Sequence, residues 1–94
     1  VTYKLLFKES AAKEWKKLDG DIRRQFSRKL NERLESPRVP HDALHGMKDC
    51  YKIKLRTKGY RLVYRVEDEI ITVTVIAVGR REGGEVYEEA AKRQ

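Results

Sequence analysis

The sequence predicts an α+β fold: a twisted antiparallel sheet with an N-terminal helical pair packed on one face and a short C-terminal helix. Three observations carry that expectation. From Asp49 to Arg65 apolar and cationic residues alternate with the two-residue period of a strand. From Ile22 to Leu34 apolar residues instead recur every fourth position, the spacing of a helix. The chain of 94 residues is short enough to hold a single domain, residues 1–94. A domain of this size buries roughly 60 to 65% of the surface its unfolded form exposes, which is room for one core and one site.

Taken in order, Thr2 to Phe7 is a short, mostly apolar first strand. Glu9 to Leu18 reads as a helix with Ala11, Ala12, Trp15 and Leu18 turned inward, and Asp19-Gly20 breaks it. Asp21 is placed to cap a second helix. Ile22, Phe26, Leu30 and Leu34 form its apolar stripe, with Arg23, Arg24, Arg28, Lys29 and Arg33 around the remainder. Ser36-Pro37 stops that helix, because a residue before proline is pushed out of the helical region. An antiparallel helical pair is the expected product. A loop over 37–48, with Pro37, Pro40, His41, His45 and Gly46, leads to the sheet.

The next segment reads as a β-hairpin. Tyr51, Ile53 and Leu55 share one side of the first strand, and Lys52, Lys54 and Arg56 share the other. The returning strand sorts Tyr60, Leu62, Tyr64 and Val66 from Arg61, Val63 and Arg65. A two-residue turn at Thr57-Lys58 pairs Leu55 with Tyr60 and Ile53 with Leu62, joining the apolar faces. It also sets Lys54 opposite Arg61. Like charges facing each other across strands oppose folding by up to about 1 kcal/mol, so the ladder points to a polyanionic ligand. A face that is merely solvated would mix signs, yet no acid occurs from Cys50 through Val66.

Asp68-Glu69 turns the chain into a further strand in which Ile71, Val73, Val75 and Ala77 continue the apolar face while Thr72 and Thr74 take the other. Gly79 ends it. Strict alternation would put Arg80 on the basic face and Arg81 on the core side. Glu82 to Arg93 is a polar helix anchored only by Val86 and Ala90, together with Tyr87 and Ala91, and so open to displacement by a partner. The helical pair should cover one face of the sheet. The other face is expected to be uncovered, concave and lined by Lys52, Lys54 and Arg61.

Lys and Arg number 22 against 15 Asp and Glu, a net charge of +7, with a pI near 9.7. That balance favours phosphate-rich partners over acidic small molecules. The single cysteine, Cys50, excludes an intramolecular disulfide, and the two histidines, His41 and His45, sit in one loop far from any zinc spacing. No cofactor and no metal are expected, and a reducing cytoplasm is the expected setting. No apolar run approaches the roughly 20 residues needed to span a bilayer. No secretion-type start is visible, and the opening Val1 reads as a non-AUG start codon taken literally.

From Leu44-His45-Gly46-Met47-Lys48-Asp49-Cys50-Tyr51-Lys52-Ile53-Lys54-Leu55-Arg56, followed by Gly59-Tyr60-Arg61-Leu62-Val63-Tyr64, the chain resembles the RelE family of bacterial messenger-RNA interferase toxins. The resemblance spans almost the whole chain, with Trp15, Leu34-Glu35-Ser36-Pro37-Arg38, Val78-Gly79-Arg80-Arg81-Glu82 and Glu85-Val86-Tyr87 also in place. The Gly59–Tyr64 string alone marks only the broader RelE/ParE superfamily. Lys52-Ile53-Lys54 and the terminal Arg81 and Tyr87 point to its RNA-cleaving branch.

The resemblance implies a toxin that enters the ribosomal A site, contacts 16S rRNA and cuts the exposed codon, with the ribose 2′-hydroxyl as internal nucleophile. It implies a RelB-type antitoxin as partner, and operator DNA only through the antitoxin complex. Lys52, Lys54, Arg61, Arg81 and Tyr87 fall on the family's active-site positions, and His45 stands where that family has an arginine that holds RNA. His45, Lys52, Arg56, Arg65 and Arg80 are the expected RNA contacts.

Such a set must deprotonate the 2′-hydroxyl, stabilise the phosphorane and protonate the leaving 5′-oxygen without the usual histidine pair. Crowded cations favour proton loss from a lysine while bound phosphates oppose it, which leaves Lys54 as one candidate base. Tyr87 is the competing base, a stacking surface for a codon base or a packing residue. Arg61 suits charge stabilisation through its fork of donors. Arg81 suits electrostatics better than proton donation, since arginine seldom releases a proton. Cys50 is expected to pack as a small apolar residue. Two other classes compete: a non-catalytic nucleic-acid-binding module, and a ParE-like inhibitor of DNA gyrase.

Overall fold

The computed structural model describes residues 1–94, apart from the side chain of Thr57. Strand β1 (Lys4–Phe7) leads into α1 (Glu9–Lys16) and α2 (Gly20–Glu35). A 3-10 turn at Pro40–Asp42 precedes β2 (Cys50–Leu55), β3 (Tyr60–Glu67) and β4 (Thr72–Arg80), and α3 (Glu85–Arg93) follows. The α+β class is as expected, with one correction. The sheet, ordered β1-β4-β3-β2, is mixed rather than wholly antiparallel, because β1 runs parallel to β4. The two helices between β1 and β2 form a crossover, so β1 is free to join the far end of the β2–β3–β4 meander.

Element limits shift by one to three residues, with β4 running to Arg80 rather than ending at Gly79 and α3 starting at Glu85 rather than Glu82. Strand β1 starts at Lys4 rather than Thr2, since the Tyr3 N–H already bonds Leu34 O (2.9 Å) and the Thr2 hydroxyl bonds Glu35. Helix α1 stops at Lys16, although Leu18 beyond it is still buried. Asp19 rather than Asp21 takes the cap position of α2, and Asp21 instead accepts a hydrogen bond from Gln25 one turn on. Ala11, Ile22, Phe26 and Leu30 pack with Ile53, Leu62, Tyr64, Val73 and Val75 as the main core. Trp15 belongs to it, with its ring 5.2 Å from Phe7 and 6.3 Å from Phe26. Each fully buried Val, Leu, Ile or Phe side chain among them contributes about 1.5–3 kcal/mol.

The hairpin register is the expected one: Leu55 faces Tyr60, Ile53 faces Leu62, and Lys54 faces Arg61. Its turn is not the two-residue turn expected. Arg56–Lys58 make a 3-10 turn closed by Gly59 at φ +70°, a conformation that glycine takes without steric cost.

The decisive irregularity lies in β4. Val63 pairs with Ala77 but Tyr64 pairs with Val75, so Ile76 is an extra, bulged residue. Alternation therefore slips by one. Val73, Val75 and Val78 face the main core, whereas Ile76 and Ala77 turn to the other side, correcting the expectation that Ala77 continues the face of Val75. Ile71, expected on that face, is exposed in a turn at φ +49°.

The second face is not left uncovered. Val86 and Ala90 of α3 pack there with Cys50, Val63, Ile76 and Ala77 as a smaller core, after Gly83 (φ +68°) and Gly84 (φ +70°) reverse the chain. Cys50 is 1% exposed, and burial pushes its thiol up from its ordinary value, so it packs as an apolar residue. Helix α3 also has an anchor that its composition hides. Past the end of β1 the outer edge of β4 has no strand neighbour, and side chains complete it: Val78 N–H bonds Glu14 Oε1 (3.2 Å), and Arg93 donates to Ile76 O (3.0 Å). Arg93 and Glu14 are paired at 2.9 and 3.1 Å. Arg93→Ala should free the end of α3, costing about 1–2 kcal/mol locally and raising amide exchange in 85–93 ahead of the sheet. Unchanged exchange there would show that Val86 and Ala90 suffice.

Candidate functional site

Beside α3 the second face opens into a hollow of about 610 Å³. Lys52 and Lys54 reach it from β2, Arg61 from β3, and Arg56 from the hairpin turn. Arg81 and Tyr87 close it from the segment after β4, with Leu44 as an apolar rim. Among the described residues no carboxylate lines this space. Five cations facing one cavity repel each other unless an anion enters, so the hollow is built for a phosphate-bearing chain.

Each side chain has a local reason for its place. Lys52 and Lys54 project by strand alternation, and Lys54 stands directly across from Arg61. Arg61 is only 8% exposed, and its Nη1 is turned onto Tyr60 O (2.9 Å). A guanidinium has five donors, so most of its fork stays available to a ligand. Arg81 owes its position to the bulge. With one extra residue in β4, Arg80 falls beside Tyr60, its guanidinium 5.2 Å from that ring, and Arg81 falls on the side of Arg61. The Arg81 N–H then bonds Gly59 O (2.8 Å), tying it to the hairpin turn. Tyr87 is half-buried at the start of α3, where Val86 holds the helix down.

Of the residues singled out in the sequence, the hollow gathers Lys52, Lys54, Arg56, Arg61, Arg81 and Tyr87. His45, Arg65 and Arg80 lie outside it. His45 is exposed on the turn beyond Leu44. Arg65 shares a face with Arg61, but its Nη2 is engaged by Glu67 (3.2 Å). Arg80 is carried to the opposite face by the bulge. The count of alternating residues had sorted Arg80 and Arg81 the other way, because a bulge of Ile76 among Val, Ile and Ala leaves no mark in the pattern.

Arg33 and Asp42 are supports that the sequence did not reveal. Arg33, in the last turn of α2, donates to Asp42 (2.7 Å), to the Tyr64 hydroxyl (2.8 Å) and to Lys52 O (3.3 Å). It therefore fixes the main chain of the first cation of the site. Their only signal in sequence was an arginine on a basic helix and an acid in a loop, which is also the pattern of solvated surface.

Comparison with known proteins adds four findings. Residues 5–83 match the family described as ParE toxin of type II toxin-antitoxin system, parDE. The chain is 58% identical over 93 residues, 99% of its length and 98% of the relative's, to the mRNA interferase toxin RelE of Escherichia coli K12. Its fold matches a double mutant of Escherichia coli RelE in the free state, with a TM-score of 0.92 at 57% identity over 99% of this chain and 98% of that one. It also matches a chain of the intact Escherichia coli RelBE toxin-antitoxin complex, with a TM-score of 0.83 at 57% identity over 85% of this chain and 98% of that one.

Proposed function

The chain belongs to the RelE/ParE family of type II toxin–antitoxin toxins, and from that premise we propose that it cleaves messenger RNA in the ribosomal A site. It is an mRNA interferase, an endoribonuclease that stops translation. The observation that carries this reading is the convergence of Lys52, Lys54, Arg61, Arg81 and Tyr87, from four separate segments, on one acid-free hollow. The near full-length identity to a relative named an interferase supports it over gyrase inhibition.

In the proposed reaction the 2′-oxygen attacks the adjacent phosphorus and the bond to the 5′-oxygen breaks. One product ends in a 2′,3′-cyclic phosphate, and the leaving 5′-oxygen takes up a proton from water, so that the other begins with a 5′-hydroxyl. Arg61 and Arg81 stabilise the added negative charge of the phosphorane through donors already in place. Lys52 holds the phosphate, and Lys54 and Tyr87 compete for the role of base. Substrate pre-bending by the cations brings the 2′-oxygen in line with the leaving oxygen.

A RelB-type antitoxin neutralises the protein by covering the basic hollow or dislodging α3, and binds operator DNA on behalf of the complex. The A site with its 16S rRNA, in the cytoplasm, is the place of action. Among the described residues no helix is long and apolar enough to cross a membrane. Primer extension on messenger RNA translated by purified ribosomes tests the reading. Cuts clustered within A-site codons are expected, and message left whole at excess protein would sink it. Tyr87→Phe separates the roles of that residue, since a stacking ring tolerates loss of the hydroxyl and a base does not.

A further inference from the structure

A second cavity, of about 430 Å³, lies on the other side of edge strand β2, between that strand, α2 and the 3-10 turn at Pro40–Asp42. Lys54 and Arg56 line both this cavity and the cleavage hollow, so the two are joined around the strand edge. Gln25, Lys29 and Arg33 contribute one stripe of α2 at four-residue spacing, and His41 stands across from them. The one acid in the lining, Asp42, is already engaged by Arg33 at 2.7 Å.

The strand edge adds main-chain groups. Cys50 O accepts from Leu44 N–H (3.0 Å) and Lys52 O accepts from Arg33 (3.3 Å), so alternate residues of β2 turn their peptide groups outward. Lys54, two residues on, presents its N–H and C=O to the same side, where β2 has no further strand beside it. One N–H donor, one carbonyl acceptor and the cations of Lys29 and Arg56 then face a space large enough for a single nucleotide. Donors and cations suit a phosphate, and the carbonyl suits an N–H group of a base.

We infer that this cavity is a nucleotide-binding subsite that holds the message strand beyond the nucleotides seated in the cleavage hollow, with Lys54 and Arg56 as the bridge between the two. The inference rests on the proposed function for the identity of the strand. It adds a contact outside the hollow, and Lys29, far from the cleaved bond, becomes an affinity residue.

Uncleavable 2′-O-methyl RNA of three and of six nucleotides provides the probe, with binding followed by fluorescence anisotropy across a salt series. The wild type should bind the hexamer with a steeper salt dependence than the trimer. Lys29→Ala should reduce the hexamer's log–log slope by about 0.7, one phosphate contact on a single strand, and leave the trimer unchanged. His41→Glu should weaken the hexamer alone in the same way. Equal slopes for both lengths in the wild type, or hexamer binding insensitive to both substitutions, would overturn the subsite. So would variants that lose affinity for ribosomes with an empty A site while binding both oligonucleotides normally, since ribosomal RNA would then fill the cavity. Binding is read without cleavage, so a message left whole by the wild type would defeat the proposed function and leave the length series to decide the subsite.

Discussion

Arg81→Ala is expected to slow message cleavage on ribosomes by about 10²- to 10³-fold, the usual effect of removing one donor to a developing oxyanion. Stability should hardly change. Arg81 is exposed, and its fixed link to the body is the backbone N–H on Gly59 O, which alanine keeps. Arg80→Ala is the matched control, one residue earlier and of the same charge, with its guanidinium over the Tyr60 ring on the opposite face. It should retain cleavage within a few-fold, through the general loss of one positive charge. The reverse result, activity lost with Arg80 and kept with Arg81, would mean that the bulge at Ile76 does not set the phase of β4 in solution. Single-turnover measurement on programmed ribosomes separates slower cutting from weaker docking.

Arg33→Met should lower stability by about 3–5 kcal/mol, measured by urea unfolding, because it leaves the Asp42 carboxylate buried without its cation. That is a large part of the 5–15 kcal/mol by which a domain of this kind is usually stable. The side chains are 17% and 8% exposed, and Asp42 Oδ1 has no hydrogen-bond partner among the described residues, so the carboxylate depends on Arg33 for its compensation. Tyr64 adds to the effect. Its hydroxyl donates to Pro37 O (2.7 Å) and accepts from Arg33, and burial pushes its phenol above the ordinary value, keeping it protonated. Combining Arg33→Met with Asp42→Leu should recover much of the loss, since an apolar pair leaves no uncompensated charge. A double variant no more stable than Arg33→Met alone would assign the loss to Tyr64 and Lys52 O instead. Cleavage should fall too, because Arg33 holds the Lys52 carbonyl.

The hairpin shows how much was legible in the chain itself. Alternation from Cys50 to Val66 determined which residues face the core, and the pairing of Leu55 with Tyr60 determined that Lys54 meets Arg61. Side-chain period and turn position are local properties, and they survive folding because one face has to be buried. The helices were equally plain in Ile22, Phe26 and Leu30, and the family strings named Arg81 and Tyr87 where periodicity could not.

Long-range geometry decided the rest. The parallel seat of β1 depends on where a two-helix crossover lands. The grip of Glu14 and Arg93 on the bare edge of β4 depends on peptide groups that exist unpaired only once the sheet has formed. Above all, the sequence by itself determined that a basic ladder lies across one hairpin and, through the family resemblance, named Arg81, while only the tertiary structure supplied the physical reason that Arg81 rather than Arg80 joins it. One bulged residue reverses every side chain beyond it, and that slip is set by packing Ile76 beneath Val86 and Ala90, contacts with no counterpart in local pattern.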